Sequence, residues 1–197
     1  MNSGIDFLRQ KLILMLVCFF GVLPSVFAQD YWGQKNIKQP NDYIFGYGSL
    51  INAASRNSSV DNPIPAIPVR VSSQLGFARV WNVRVPSGFT ALGLIKANAT
   101  TPATTINGVL FPVVGSDIAA YDRREQGYTR LEIPRVNIEA LSWQGLPQNG
   151  RIWVYVPSKL GEQPGVGLPI PNGGHPLLQS YIDVVIEGAL YHDINIR

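Results

Sequence analysis

The stretch with the clearest chemical potential is a glycine-rich turn inside an apolar run. The run reads Tyr43-Ile44-Phe45-Gly46-Tyr47-Gly48-Ser49-Leu50-Ile51. Glycine lacks a Cβ atom, so a ligand can approach the backbone of Gly46 and Gly48 closely, and we expect a positive φ at Gly48. Successive backbone N–H groups in such a turn can bind an anion or an oxyanion. The pattern predicts a buried strand that opens into a ligand-binding loop, with a plain hairpin turn as the alternative.

The loop lacks the features of other glycine-rich sites. A dinucleotide fingerprint needs a third glycine in a strand–helix–strand unit, and a Walker loop needs Gly-Lys-Ser or Gly-Lys-Thr. Neither follows Gly48. A serine-hydrolase elbow is also absent, because Leu50-Ile51 follows Ser49, and both histidines lie far downstream. The sequence therefore favours a ligand cradle over a nucleotide site or a nucleophilic serine.

The histidines give little support for a metal site. His175, His192 and Asp193 have a spacing that matches no metal motif. We therefore predict no metal ligands. His175 precedes Pro176, and we expect it to cap a helix there.

Two segments resemble the γ-glutamylcyclotransferase-like superfamily. Phe45-Gly46-Tyr47-Gly48-Ser49-Leu50 resembles its signature loop. Leu50 is closer to the glutathione-degrading ChaC branch than to the branch with asparagine at that place. Tyr121-Asp122-Arg123-Arg124-Glu125-Gln126-Gly127-Tyr128-Thr129-Arg130 resembles the segment in which an acidic residue precedes Gly-Tyr and a strand. Residues 75–81 resemble the family's aromatic-basic strand, and residues 91–94 with 107–111 its central hairpin, so the similarity spans about residues 43–190.

The resemblance implies an activity, a site and a substrate class. The α-amine of a γ-glutamyl compound attacks its own γ-carbonyl and releases 5-oxoproline, without a metal or an organic cofactor. Glu125 falls on the catalytic carboxylate and would act as general acid and base. The expected substrate-binding residues are those of the loop and two aromatic residues that close the pocket: Gly46, Tyr47, Gly48, Ser49, Leu50, Tyr128 and Tyr155. The partner would be a small γ-glutamyl molecule.

The chain around Glu125 allows two interpretations of that residue. We expect Glu125 in the last turn of a helix, where exposed carbonyl groups raise the pKa of a carboxyl group. Arg123 and Arg124 would lower that pKa if their side chains lie nearby. The alternative is a solvated carboxylate at a helix end.

The first 28 residues have the three parts of a secretory signal peptide. Arg9 and Lys11 precede an apolar segment at residues 12–22, and Val26-Phe27-Ala28 has the character of a cleavage site. The apolar segment is short for a membrane-spanning helix, so an uncleaved anchor is the weaker alternative. We predict cleavage after Ala28 and an exported protein, periplasmic or secreted. The single cysteine, Cys18, would leave with the peptide.

Composition excludes some classes of function. The formal net charge is +3 over 197 residues, without a basic run, so nucleic-acid binding has no electrostatic support. No coiled-coil pattern is present, and we predict a monomer. A second hypothesis is an exported, non-catalytic pocket protein that binds a γ-glutamyl or amino-acid-like ligand.

The remaining pattern predicts a single α+β domain at residues 43–197, after an N-terminal arm at 29–42. We expect a mixed β-sheet curled into a small barrel with a few flanking helices. Predicted strands cover residues 43–47, 69–85 with a break near Gly76, 91–97, 106–114, 129–141 and 151–156. The linker between the third and fourth of these predicts a hairpin. One helix should run from Ser116 or Asp117 to Gln126, with Gly127 ending it, and another from Pro176 with an apolar face formed by Leu177, Leu178, Tyr181, Val184, Val185 and Leu190. A loop is expected at residues 160–174.

Overall fold

The apolar run before the glycine-rich turn forms a central strand in the computed structural model, which describes residues 40–60, 64–158 and 170–194. Strand β1 (Asp42–Gly46) contains Tyr43, Ile44 and Phe45, each at most 1% exposed. Burial of consecutive residues means that both faces of the strand are covered. The predicted signal peptide, Cys18, most of the arm and most of the 160–174 loop lie outside the described residues.

Eight strands are present in the described part of the chain. They are β1, β2 (Ile67–Val71), β3 (Phe77–Val85), β4 (Phe89–Lys96), β5 (Ile106–Val113), β6 (Tyr128–Glu132), β7 (Ile138–Ala140) and β8 (Arg151–Pro157). Six form one sheet in the order β6-β8-β1-β5-β2-β7, in which only β1 and β8 run parallel. Strands β3 and β4 form a separate antiparallel ribbon. The predicted α+β class with a mixed sheet is confirmed, and no closed barrel is found among the described residues.

The predicted hairpin between residues 91–97 and 106–114 is wrong. Strand β4 pairs with β3, whereas β5 pairs with β1 on one side and β2 on the other. The physical reason is burial: seven of the eight residues of β5 are buried, so this strand needs a neighbour on each side. The predicted break at Gly76 is present, where φ is +83° between a short 3₁₀ turn and β3.

Three α-helices flank the strands in the described residues. They are α1 (Ala53–Asn57), α2 (Asp117–Arg124) and α3 (Gln179–Tyr191); 3₁₀ turns lie at Ser49–Ile51, Ser73–Leu75 and Arg135–Asn137. Helix α2 ends two residues earlier than predicted, and Gly127, at φ +90°, follows in the left-handed conformation that a helix stop requires. None of these helices is long and apolar enough to cross a membrane.

Helix α3 differs from its prediction in its start and in its buried face. It begins three residues after Pro176, and the expected cap by His175 is wrong, because Leu178 is the N-cap residue and no side chain caps this end. Leu190 is 73% exposed, while Val185, Gly188 and Ala189 are buried. Small residues explain why the buried face differs from the predicted one. A Cβ on Gly188 would lie 2.5 Å from the Asn52 nitrogen, so the backbone of α3 packs directly on the end of the glycine-rich loop.

Candidate functional site

The sheet topology brings distant segments to one edge. Strands β1 and β8 are parallel, with Phe45 paired to Val154, so the loop after Gly46 emerges beside Tyr155. Strand β6 is antiparallel to β8 and pairs Tyr128 with Pro157. Three residues, 125–127, separate the end of helix α2 from β6. The loop, the end of α2 and the two predicted pocket tyrosines therefore meet at the carboxyl end of β1 and β8.

A cavity of about 380 Å³ lies at this edge. Every predicted site residue lines it: Gly46, Tyr47, Gly48, Ser49, Leu50, Glu125, Tyr128 and Tyr155. Other lining residues come from the end of α2, from α3 and from the β3–β4 ribbon: Arg124, Gln126, Tyr181, Val85, Pro86, Phe89, Ala91 and Leu92, with Phe45 at the base. The roles assigned to these residues from the sequence stay predictions.

Glu125 is more enclosed than a solvated helix-end carboxylate. It is the C-cap of α2, its side chain is 16% exposed, and its Oε1 lies 3.2 Å from the Arg124 Nε. Burial raises the pKa of Glu125 above its usual value, while Arg124 opposes the rise through its charge and its hydrogen bond. Loss of solvation is thus the larger effect. Arg123, by contrast, is exposed.

Arg124 links α2 to the glycine-rich loop and was not predicted as a site residue. Its guanidinium donates to the hydroxyls of Ser55 at 2.8 Å, Ser59 at 3.2 Å and Ser49 at 3.3 Å, and also to the Ser55 carbonyl. The available sequence signal was the cluster of serines after the loop: Ser55, Ser58 and Ser59. This network fixes the guanidinium between the loop and Glu125.

Backbone hydrogen bonds close the loop into a 3₁₀ turn. The Ile51 N–H donates to the Gly48 carbonyl at 3.0 Å, and the Asn52 N–H to the Ser49 carbonyl at 3.1 Å. The expected positive φ at Gly48 is wrong, since φ is −123°. The close packing around position 48 explains the glycine instead. A Cβ there would lie 3.3 Å from the Tyr181 hydroxyl oxygen and 3.7 Å from the Leu92 Cβ.

Tyr181 is the second site residue that sequence reasoning missed. Its hydroxyl accepts the Leu92 N–H at 3.4 Å and also interacts with the backbone and side chain of Ser49. Burial raises the pKa of Tyr181, and these hydrogen bonds act in the opposite direction. Helical periodicity indicated only that Tyr181 faces the core, because position on a helix face does not reveal which loop the hydroxyl reaches.

Tyr47 and Tyr155 are held by a chain of hydrogen bonds. The Tyr47 hydroxyl donates to the Tyr155 carbonyl at 2.8 Å, and the Tyr155 hydroxyl donates to Asp122 Oδ1 at 2.8 Å. Asp122 also lies 2.9 Å from the Arg130 Nε. This chain ties α2 to β6 and β8 and thereby fixes the position of Glu125, one turn further along. Tyr155 is 3% exposed, and its hydroxyl is directed to Asp122.

Tyr128 joins the ribbon to the site. Its hydroxyl donates to the Leu92 carbonyl at 3.3 Å, so both backbone groups of Leu92 contact a site tyrosine. Burial raises the pKa of Tyr128, and the neighbouring Tyr181 and Glu125 add to the shift. The hydroxyl therefore stays protonated near neutral pH and can act as a donor.

The described residues contain no group of three or more His, Cys, Asp or Glu side chains that could hold a metal ion. His175 lies before α3 and His192 at its C-terminal end. Burial, with the nearby positive charge of Arg56, lowers the pKa of His192 to about 4.

Comparison with known proteins supports the fold. No protein-family model and no curated protein matches the sequence. A structure described as γ-glutamyl cyclotransferase has a TM-score of 0.51 at 13% identity, covering 78% of this chain and 81% of its own. A yeast γ-glutamyl cyclotransferase described as specific to glutathione has a TM-score of 0.45 at 16% identity, covering 77% and 90%. A solution structure from Arabidopsis thaliana has 0.45 at 15%, covering 76% and 78%.

The first of these structures defines the class. The chain has the γ-glutamyl cyclotransferase-like fold, which confirms at the level of fold the resemblance seen in the sequence. The other two have TM-scores below 0.5 and add nothing to this conclusion. The nearer similarity to the glutathione-degrading branch stays a prediction.

Proposed function

We propose that the protein is a γ-glutamyl cyclotransferase that releases 5-oxoproline from a small γ-glutamyl compound. One observation carries the proposal: the enclosed carboxylate of Glu125 lines the same cavity as the glycine-rich loop from Gly46 to Leu50. The fold shared with a γ-glutamyl cyclotransferase structure supports it. The cavity, at about 380 Å³, is large enough for a small molecule.

The chemistry needs little more than positioning and proton transfer. The substrate's α-amine attacks its γ-carbonyl carbon, a five-membered ring closes, and the bond from that carbon to the departing nitrogen breaks. Because the nucleophile is part of the substrate, holding it in place can supply much of the rate. The α-ammonium loses two protons in all, and the departing nitrogen gains two when it leaves as an ammonium group. Glu125 would take a proton from the former and return it to the latter.

The surroundings of Glu125 suit this role. A general base works best when its pKa lies near the working pH, and burial moves the pKa of Glu125 upward in that direction. Arg124 limits the shift, so that the carboxylate form stays available. The reaction as proposed uses no metal and no organic cofactor.

The loop would hold the γ-glutamyl group and its developing oxyanion. Backbone N–H groups from Gly48 to Leu50 and the Ser49 hydroxyl are the candidate donors, and fixed donors of this kind stabilise a tetrahedral oxyanion. Tyr128 and Tyr181, which bracket Leu92, would close the cavity over the substrate.

The direct test is release of 5-oxoproline. Purified protein would be incubated with glutathione, γ-glutamyl-alanine and other γ-glutamyl amides, and the product measured by chromatography with mass detection. We expect turnover of at least one compound. Calorimetric binding of these compounds with no product from any of them would instead favour the non-catalytic pocket protein.

Export forms a separate part of the proposal. The basic lead, apolar core and Val-Phe-Ala sequence at the N-terminus predict cleavage after Ala28. N-terminal sequencing of protein recovered from an exporting host should begin at Gln29. Recovered protein that still contains Cys18 would contradict cleavage.

A further inference from the structure

One wall of the cavity has no role in the chemistry proposed so far. It is formed by the end of the β3–β4 ribbon: Val85, Pro86, Phe89, Ala91 and Leu92. All five side chains are apolar, and Val85 pairs directly with Phe89 where the ribbon turns. We call this surface the ribbon wall. The Gly46–Leu50 loop and Glu125 lie elsewhere in the lining, so the wall is available to the rest of the substrate.

The ribbon wall leads away from the reacting groups. Leu92 marks its inner end, since its backbone contacts the hydroxyls of both Tyr181 and Tyr128. Phe89 lies three residues back along β4, which corresponds to roughly 10 Å. Tyr181 shows the same direction, with its hydroxyl at Leu92 and its ring 5.2 Å from the ring of Phe89. A group that extends from the loop along the wall therefore passes from polar to apolar surroundings.

The charges of the cavity lie at its reacting end. Among the described residues, its ionisable lining consists of Arg124, Glu125 and tyrosines. Arg124 already contacts Glu125 and several serines. Arg84 precedes Val85 in β3, but it is exposed and does not line the cavity. At the inner part of the ribbon wall, where Ala91 and Leu92 are buried, a carboxylate would lose water and would find no cation other than Arg124 among the described lining residues.

We propose that the ribbon wall is the subsite for the departing amine and that it selects an uncharged, apolar amine, such as an alkyl or aryl amine, over an amino acid or peptide with a free carboxylate. This inference rests on the proposed function and specifies its substrate class. The bonding changes are those of the cyclisation: the α-nitrogen to γ-carbon bond forms, and the apolar amine leaves with the protons lost by the α-ammonium.

Three matched substrates test the proposal. γ-Glutamyl-benzylamide presents an apolar ring, γ-glutamyl-(4-carboxybenzyl)amide adds one carboxylate, and γ-glutamyl-methylamide lacks the ring. Apolar contacts the size of a methylene or more are worth about tenfold in kcat/KM. We expect kcat/KM for the benzylamide to exceed both of the others by at least about tenfold.

Two variants show whether the wall is responsible. Phe89→Ala should reduce the ratio of kcat/KM for the benzylamide to that for the methylamide, and Phe89→Leu, which keeps an apolar side chain, should preserve most of it. Val85→Lys should raise kcat/KM for the carboxybenzyl substrate relative to the benzylamide. An equal loss on all three substrates in Phe89→Ala would mean that Phe89 acts only by supporting Tyr181, and would overturn the proposal.

The outcomes separate this inference from the proposed function. Turnover of all three substrates with equal or greater kcat/KM for the carboxybenzyl compound would reject the apolar subsite and leave the cyclotransferase standing. Absence of 5-oxoproline from these three compounds and from glutathione and γ-glutamyl-alanine would reject the cyclotransferase. In that case calorimetric affinities for the same compounds decide the subsite: tighter binding of the benzylamide supports it, and equal binding overturns it.

Discussion

Two arginines, Arg56 within helix α1 and Arg124 at the end of helix α2, show how the same residue type can serve the scaffold or the site. Arg56 is 2% exposed, and its guanidinium donates to the carbonyls of Leu50 and Ile51 at 3.0 Å. Arg124 is more exposed, and its guanidinium contacts Glu125 and serine hydroxyls at the rim of the cavity. Both side chains contact the segment that contains the glycine-rich loop, Arg56 through backbone carbonyls and Arg124 through the Ser49 hydroxyl.

The partners of each arginine indicate its role. Arg56 also lies over the ring of Phe111 at 5.4 Å, and burial lowers the pKa of Arg56 to about 10. A buried cation among carbonyl groups and an aromatic ring fixes the backbone and acts on no ligand. A cation that contacts a carboxylate lining a cavity lowers the pKa of that carboxylate. Variants on the Arg56 side should therefore alter stability, and variants on the Arg124 side should alter activity.

The largest expected effect is a loss of activity on substitution of Glu125, the residue that Arg124 contacts. Glu125→Gln keeps the size of the side chain and removes the base, which is worth about 10² to 10⁴ in rate, or roughly 3 to 5 kcal/mol of barrier. We expect 5-oxoproline formation to fall at least about a hundredfold, with the melting temperature nearly unchanged. Kinetics and thermal unfolding on the same sample check this, and turnover within a few-fold of the parent would remove Glu125 from the mechanism.

The next largest effect should be a loss of stability on substitution of Arg56. Arg56→Met leaves the carbonyls of Leu50 and Ile51 buried without their donor, and each such loss costs about 1 to 3 kcal/mol. We expect the free energy of unfolding to fall by at least about 2 kcal/mol, measured by denaturant unfolding.

A matched control is Arg70→Met. Arg70 forms a surface ion pair with Glu139, both about half exposed, and such pairs contribute about 0 to 1 kcal/mol. If both variants lost the same stability, Arg56 would not have the scaffold role that its contacts indicate.

A substitution in the glycine-rich loop itself should affect both ligand binding and stability. Gly48→Val places a branched side chain against the Tyr181 hydroxyl, which lies 3.3 Å from the ideal Cβ position. We expect the Kd for a γ-glutamyl amide to rise at least about tenfold, with a smaller loss of stability. Calorimetry in the Glu125→Gln background measures the Kd without turnover. Gly48→Ala, whose single methyl nearly fits, is the control, and unchanged affinity in Gly48→Val would mean that the loop is not the ligand cradle.

The sequence predicted local elements better than their partners. Strand β1 and the end of α2 follow from an apolar run and a glycine in the left-handed conformation, which are signals within a few residues. The pairing of β4 with β3 was missed, because a linker rich in turn residues does not reveal which strands it joins. The face of α3 was also missed, because Gly188 and Ala189 allow backbone contact that hydrophobic periodicity cannot show.

In the candidate site, too, short motifs predicted the local features but not the contacts between distant residues. The loop and Glu125 were predicted as site residues from short motifs, and they line one cavity in the structure. Arg124 and Tyr181 were not assigned to the site, because their importance depends on contacts with Ser49 across 75 and 132 positions of the chain. The sequence predicted a raised pKa for Glu125 from its position at a helix end, whereas the largest cause in the structure is burial. Burial depends on the whole cavity, which short motifs do not describe.

The smallest expected effect tests the coupling between Arg124 and Glu125. Arg124 lowers the pKa of Glu125, so Arg124→Gln should raise that pKa further above its usual value. Since the base must be ionised, activity falls as the pH drops through the pKa of folded Glu125, and the acid limb of kcat should move to higher pH in the variant. The free energy of unfolding should depend on pH in a related way. Because folding raises the pKa of Glu125, the protein loses stability as the pH rises from the pKa of the unfolded state through that of the folded state. In Arg124→Gln the folded pKa is higher, so the loss of stability should be larger and extend over a wider pH interval. Arg124→Lys, which keeps the charge, should retain most of the parent's profile. The decisive measurement is the pH dependence of kcat beside that of the melting temperature, and an acid limb at the same pH in Arg124→Gln and the parent would show that Arg124 serves the scaffold, as Arg56 does.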